Sequence, residues 1–206
     1  MRRTAAFAVF AAAACAGFLG AATPARAQLG NLLLSPKTLI DRAIEARSTE
    51  DIAKDNEIVI DVNKVMADLG TIKASTEIYE QDLLVTGMFN DADTYRKFEN
   101  GVRHVKGVKR LYWHVTYMTD KAEEAAKKSG KLMDWGDVLV FGTKAKARLI
   151  GTAGVADVNF RVAADGYGNL YLLGRARSNE ELRKALARLK DGDGVRKVYN
   201  YAVVRP

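Results

Sequence analysis

Apolar positions fall into the same succession of patterns twice along this chain. Ile58, Val62, Val65, Met66 and Leu69 recur at the spacing of one helix face, and Gly70 follows where such a helix stops. From about Ile72 to Tyr79 the pattern becomes that of a strand. The polar break Glu80-Gln81-Asp82 turns the chain into a second strand, Leu83–Phe89. Asn90 or Asp91 can cap a helix bearing Tyr95, Phe98, Val102 and Val105, which Gly107 ends. Leu111, Trp113, Val115 and Tyr117 then alternate as a third strand.

The second pass keeps this order. A helix is predicted from about Asp137 to Ile150, with Val138, Phe141, Ala145 and Leu149 as its core stripe. A strand follows at Val158–Ala164. Asp165-Gly166-Tyr167-Gly168-Asn169 carries hairpin-turn chemistry, since its glycines accept positive φ. Leu170–Arg177 is the next strand. Ser178 caps a helix with Leu182, Ala185, Leu186 and Leu189 on one side, and Val195–Val204 closes the unit.

The two passes lie at a constant offset of 87 residues. Leu83–Gly87 matches Leu170–Gly174, Gly107–Tyr112 matches Gly194–Tyr199, Tyr95 matches Leu182, and Val102 matches Leu189. The fold class is therefore α+β: two tandem α-β-β-α-β units, each a small mixed three-stranded sheet packed on two helices. In each, one hairpin is joined to a parallel strand by a helical crossover. Units of about 70 residues are near the lower limit for an autonomous core, which favours docking of one on the other.

Outside the repeat, Arg2 and Arg3 precede an apolar run from Ala5 to Ala22, and Ala25-Arg26-Ala27 forms a small-residue cleavage site. Residues 1–27 thus read as a secretory signal peptide, with a periplasmic destination. The same segment leaves two alternatives open. One is an uncleaved anchor. The other is lipid attachment at Cys15, although Ala12 stands where such signals usually carry Leu. Residues 28–47 form an N-terminal extension in which Ser35-Pro36 opens a helix bearing Leu39, Ile40, Ala43 and Ile44. The units span 48–119 and 137–206, joined by a charged helical linker at 120–136.

Cys15 is the one cysteine of the 206 residues, so no intrachain disulfide, thiol nucleophile or cysteine zinc site belongs to the repeat. The net charge of +7 is unevenly placed. Residues 48–119 carry 9 basic and 12 acidic side chains, whereas residues 137–206 carry 13 basic and 7 acidic. His104 and His114 have no carboxylate at catalytic spacing and read as structural. Gly166-Tyr167-Gly168 joins two strands and does not open a helix, so it is no dinucleotide loop. Asp191–Gly194 reads as a turn, because Ala202 occupies the final ligand position of a calcium loop. No cofactor or metal site is expected.

The duplicated unit, the strand ends Leu83–Gly87 and Leu170–Gly174, and the segments beginning at Gly107 and Gly194 resemble the BON domain. Tandem BON domains behind a signal peptide are similar to the osmotically inducible periplasmic proteins and the outer-membrane division-site lipoproteins of that family. The resemblance spans about residues 48–206. It implies envelope maintenance, binding of anionic phospholipid through the second domain, and no catalysis.

That implication falls on the helix opening the second unit. Val140, Lys144 and Arg148 follow at i, i+4 and i+8, with Leu139 and Lys146 beside them and Trp135 ahead. An apolar tip of Trp135, Leu139 and Val140 leading into Lys144, Lys146 and Arg148 can sink into the headgroup region while the cations meet phosphate. In relatives that carry an aromatic on this helix, the matching position here is Val140. The alternative is a solvated charged face with Trp135 packed on the linker. Arg175, Arg177, Arg183, Lys184 and Arg188 make a second basic set, read as solvated surface. Tyr112, Trp113 and Tyr117 alternate with Arg110 and His114, a pattern read as packing and not as a nucleic-acid platform. The function expected is a non-enzymatic exported binding protein that docks on anionic phospholipid headgroups. The alternatives are a soluble periplasmic chaperone or stress protein that binds unfolded chains or envelope proteins through apolar patches such as Leu39 and Ile44, or a protein–protein adaptor that oligomerises through its sheet edges.

Overall fold

The computed structural model describes residues 44–70 and 73–206. The signal segment, Cys15 and most of the N-terminal extension, including Leu39 and Ile40, lie outside the described residues. Among the described residues, five α-helices and seven strands follow in the order α1 (Thr49–Asp68), β1 (Lys73–Tyr79), β2 (Asp82–Phe89), α2 (Ala92–Arg103), β3 (Arg110–Tyr117), α3 (Asp120–Lys128), α4 (Trp135–Leu149), β4 (Phe160–Ala164), β5 (Asn169–Ala176), α5 (Asn179–Lys190), β6 (Lys197–Asn200) and β7 (Val203–Val204). The chain is α+β, with two small mixed sheets. In each, an antiparallel hairpin, β1–β2 or β4–β5, is joined by a parallel crossover strand, β3 or β6; the second sheet has four strands and not the expected three, because β7 also pairs parallel with β5.

Side-chain oxygens start the helices. Ser48, Asp91, Thr119 and Ser178 each accept a bond from the backbone N–H three residues on. The apolar stripes then meet the sheets. Ile58 and Val62 of α1 and Phe98 and Val102 of α2 pack with Leu83, Val85 and Phe89. Val138, Phe141, Ala145 and Leu149 of α4 join Ala185 and Leu189 of α5 on Phe160, Leu170 and Leu172. The alternate residues of the central strands, Leu84, Tyr171 and Leu173, face the other way and meet Tyr79 and Ala163 in a third cluster. The layers therefore run helix, sheet, sheet, helix, and the central strands β2 and β5 are buried on both faces. The described residues form one compact unit.

The repeated glycines have repeated reasons. A Cβ on Gly87 would lie 2.7 Å from the Lys73 carbonyl oxygen, and one on Gly174 would lie 2.1 Å from that of Asn159. Both glycines let the hairpin strands close. Gly107 and Gly194 take φ of 84° and 75°, which turns the chain from α2 and α5 toward the crossover strands.

Three predicted strand and helix bounds shift. The strand predicted from Val158 begins at Phe160, because Asp157–Asn159 form a 3-10 turn closed by Asn159 N–H on the Ala156 carbonyl at 2.9 Å. The strand predicted over Val195–Val204 is two pieces, interrupted where Asn200 Oδ1 accepts from the Ala202 N–H at 3.0 Å. The opening helix of the second half starts at Trp135, two residues early.

Candidate functional site

Helix α4 carries Asp137 in its first turn and Lys146 and Arg148 in its last, the charge order that complements a helix dipole. Its core stripe is the predicted one. Its outer side bears two adjacent apolar side chains, Leu139 at 49% and Val140 at 51% exposure, with Lys144 exposed one turn further on.

The six predicted site residues divide among three surroundings. Leu139, Val140 and Lys144 share the solvent side. Trp135 is half-buried against the second core. Lys146 turns inward, where its Nζ donates to the carbonyls of Asp157 and, at 2.8 Å, Phe160. Arg148 folds back beside Gly192 of the α5–β6 turn, and its Nη1 is buried with no hydrogen-bond partner. The i, i+4, i+8 spacing fixes where the stems of Val140, Lys144 and Arg148 leave the helix, but the structure does not bring Lys144, Lys146 and Arg148 to one face. Long stems allow Lys146 and Arg148 to follow the protein surface.

Trp135, Leu139 and Lys146 also line a cleft of about 380 Å³. Its opposite wall is the edge strand β1 of the first half, through Ser75 and Glu77, and its floor is β4, with Arg161. Glu77 and Arg161 were not singled out from the sequence. Burial pushes the Glu77 carboxyl up to about 7, against the opposing pull of Arg161 and Lys146. Arg161 is lowered by burial and by neighbouring Arg47. Its Nη1 donates to the carbonyls of Val158 and Phe160 at 2.9 and 3.1 Å, and its guanidinium carbon lies 5.7 Å from the Tyr79 ring centroid.

Beside the cleft, polar groups tie the halves together. Tyr79 Oη donates to Asn159 Oδ1 at 3.3 Å, and the Asn159 amide donates to the Ile44 carbonyl at 2.9 Å. Glu80 meets Arg175 at 3.6 Å and also pairs with Arg205. At the other end, Tyr112 stacks on Tyr201 at 4.0 Å between centroids, and His114 lies 4.2 Å from the Tyr171 ring. His114 Nε2 bonds Tyr201 Oη at 2.7 Å, and burial lowers its pKa. His104 bonds its own helix, through the Asn100 carbonyl at 2.7 Å. Trp113 points into the first core and donates from Nε1 to Tyr95 Oη at 3.2 Å. In the second basic set, Arg175, Arg177 and Lys184 are paired with Glu80, Glu181 and Glu180, while Arg183 and Arg188 are exposed. Among the described residues no cluster of His, Cys, Asp and Glu is placed to hold a metal, and no helix is long and apolar enough to cross a membrane.

No family model matches the chain. An uncharacterized protein in the gshII 5′ region of Anaplasma centrale is 27% identical over 150 residues, which span 71% of this chain and 92% of that one. Two solved structures of CdsD, a structural protein of the type III secretion system of Chlamydia trachomatis, are similar over 72% of this chain. They cover 92% and 98% of their own lengths, at 15% and 14% identity and TM-scores of 0.28 and 0.29.

Proposed function

We propose that the protein is an exported tandem BON-domain binding protein, non-enzymatic, that serves envelope maintenance by docking the outer side of α4 on anionic phospholipid. The carrying observation is the neighbouring pair Leu139 and Val140, each about half exposed, with Lys144 one turn beyond. The second half around them holds 13 basic and 7 acidic residues. The α-β-β-α-β order of both halves and the matched glycines support the BON reading. The leader supports a periplasmic location.

Magnitudes define the kind of contact. Burying the remaining surface of two half-exposed aliphatic side chains contributes about 1 kcal/mol each. A lysine at an anionic surface adds about 1 kcal/mol. A total of about 3 kcal/mol is a reversible peripheral contact that needs the wider positive field of the second half to concentrate the protein at the surface. Salt weakens the Lys144 share and the field, and leaves the apolar share.

Co-sedimentation with liposomes tests this. Binding to phosphatidylglycerol-containing vesicles, absent on phosphatidylcholine and weakened at high salt, is the expected result. Leu139→Asp/Val140→Asp abolishes it and Lys144→Glu weakens it several-fold. Ile60→Asp, at the 55% exposed apolar position of α1, leaves it intact. A folded protein that sediments with neither vesicle overturns the proposal. Salt-insensitive binding to both vesicles would move the weight to apolar capture of chains, the chaperone reading.

A further inference from the structure

We propose that the cleft between β1 and α4 binds a single-chain anionic amphiphile, a long-chain monocarboxylate, with its head at Arg161 and its chain along Trp135 and Leu139. The volume of about 380 Å³ is at the small end of the range for ligand pockets, roughly 300–1,000 Å³, which suits one acyl chain and not two. The wall formed by α4 is apolar at Trp135, Val138 and Leu139, and Gly142 keeps it low. Lys146, one turn past Gly142, reaches the Phe160 carbonyl beside Arg161, so the charged groups share one end of the trough. A site with an apolar trough and a charged end fits an amphiphile better than a wholly polar solute.

The sign of the head group follows from the charges. Facing Glu77 are Lys146 from α4 and Arg161 from β4, with Glu45 and Arg47 beyond Arg161. Among the described residues no hydrogen bond or ion pair reaches the Glu77 carboxyl, so Glu77 does not neutralise Arg161 by contact. Arg161 spends only Nη1 on backbone carbonyls. Its Nε and Nη2 remain the parallel donors that take a carboxylate in two bonds. A Glu77 carboxyl that holds its proton to about pH 7 can donate to the same head group, and once ionised it repels it.

The test is equilibrium dialysis of the protein with dodecanoate below its micelle concentration, with Trp emission as a second readout, since Trp135 lines the cleft. Saturable binding at pH 6 is expected, weakening about tenfold by pH 8 as Glu77 ionises. Glu77→Gln binds at pH 8 as the unaltered protein does at pH 6. Gly142→Leu fills the trough and lowers affinity at least tenfold, and Thr143→Trp does the same from one residue along. The Gly142→Leu variant, whose added side chain faces Ala164, sediments with anionic vesicles as the unaltered protein does, which separates the cleft from the membrane-facing tip. No saturable binding at pH 6, binding indifferent to both filling variants, or equal uptake of neutral dodecanol would each overturn the proposal.

Discussion

The hairpins of the two halves close by different chemistry. In the second half, the loop between β4 and β5 contains Gly166 and Gly168, and Asp165 accepts from the backbone N–H groups of Tyr167 and Asn169 at 2.9 and 3.0 Å. In the first half, the turn residues are Glu80 and Gln81, at φ of 52° and 66°, a conformation that side chains disfavour. Buried Asp55 of α1 holds that turn, accepting from the N–H groups of Glu80 and Gln81 at 3.0 and 2.7 Å, while Arg47 pairs with it at 2.9 Å. The turn in one half is local and in the other depends on a distant helix. The opening helices differ in the same spirit. The exposed Ile60 of α1 stands alone among polar neighbours, whereas α4 presents Leu139 and Val140 together. Duplication preserved the layers and left each copy's edges free to diverge.

The repeated glycines give the largest expected break in that comparison. Gly174→Ala places a Cβ 2.1 Å from a backbone oxygen at φ of 136°, and should cost about 3–5 kcal/mol in urea unfolding. Gly87→Ala meets its neighbour at 2.7 Å without a positive φ, and should cost about 1–3 kcal/mol. Equal costs would show that the two strands close with equal tolerance.

The turns come next. Asp55→Ala strands two backbone donors and leaves Arg47 paired with Glu45 alone, for a loss of about 2–4 kcal/mol. Adding Gln81→Gly should restore about 1 kcal/mol by relieving the backbone. Absence of any recovery would mean that Asp55 matters for Arg47 and not for the turn.

The smallest effects are in pH. Glu77 holds its proton more tightly when folded, at about 7, than its ordinary 4.5, so stability falls as pH rises through that window, by on the order of 3 kcal/mol at most. Glu123 goes the other way. Its burial is outweighed by hydrogen bonds from Lys127, Lys73 and Asn90, which hold it at about 2, so its contribution is complete above pH 4.5 and is lost as pH falls toward 2. Thermal melts from pH 3 to 9 should show Glu77→Gln flattening the limb above pH 4.5, and Glu123→Gln flattening the acid limb.

Much of this architecture was legible because apolar spacing reports which way a Cβ leaves the backbone. The stripe Val138, Phe141, Ala145 and Leu149 and the crossover strands follow from it directly. Spacing does not report where a long side chain ends. Lys146 and Arg148 leave α4 as the pattern predicts, then turn to carbonyls of the second half and to Gly192. Glu77 was missed because its surroundings come from the other half, 84 residues away at Arg161. One signal was available and unread: a hairpin turn of Glu80 and Gln81, with neither glycine nor asparagine, needs support from elsewhere in the chain, and Asp55 supplies it.

The aromatic junction has a reciprocity of its own. Tyr112 and Tyr199 are equivalent positions in the repeat, and so are His114 and Tyr201. Tyr112 meets Tyr201, and His114 meets Tyr199 at 5.8 Å between centroids. Leu84 and its equivalent Tyr171 lie in the same cluster. When residue i of one copy touches j of the other, and j touches i, the surface is isologous, as in a two-fold homodimer. This chain is built like such a dimer with its subunits fused through α3. Fusion turns a concentration-dependent association into an intramolecular one, at an effective concentration in the millimolar range for a short link. A lone α-β-β-α-β unit would expose its inner sheet face on dilution, whereas here the partner face is always present.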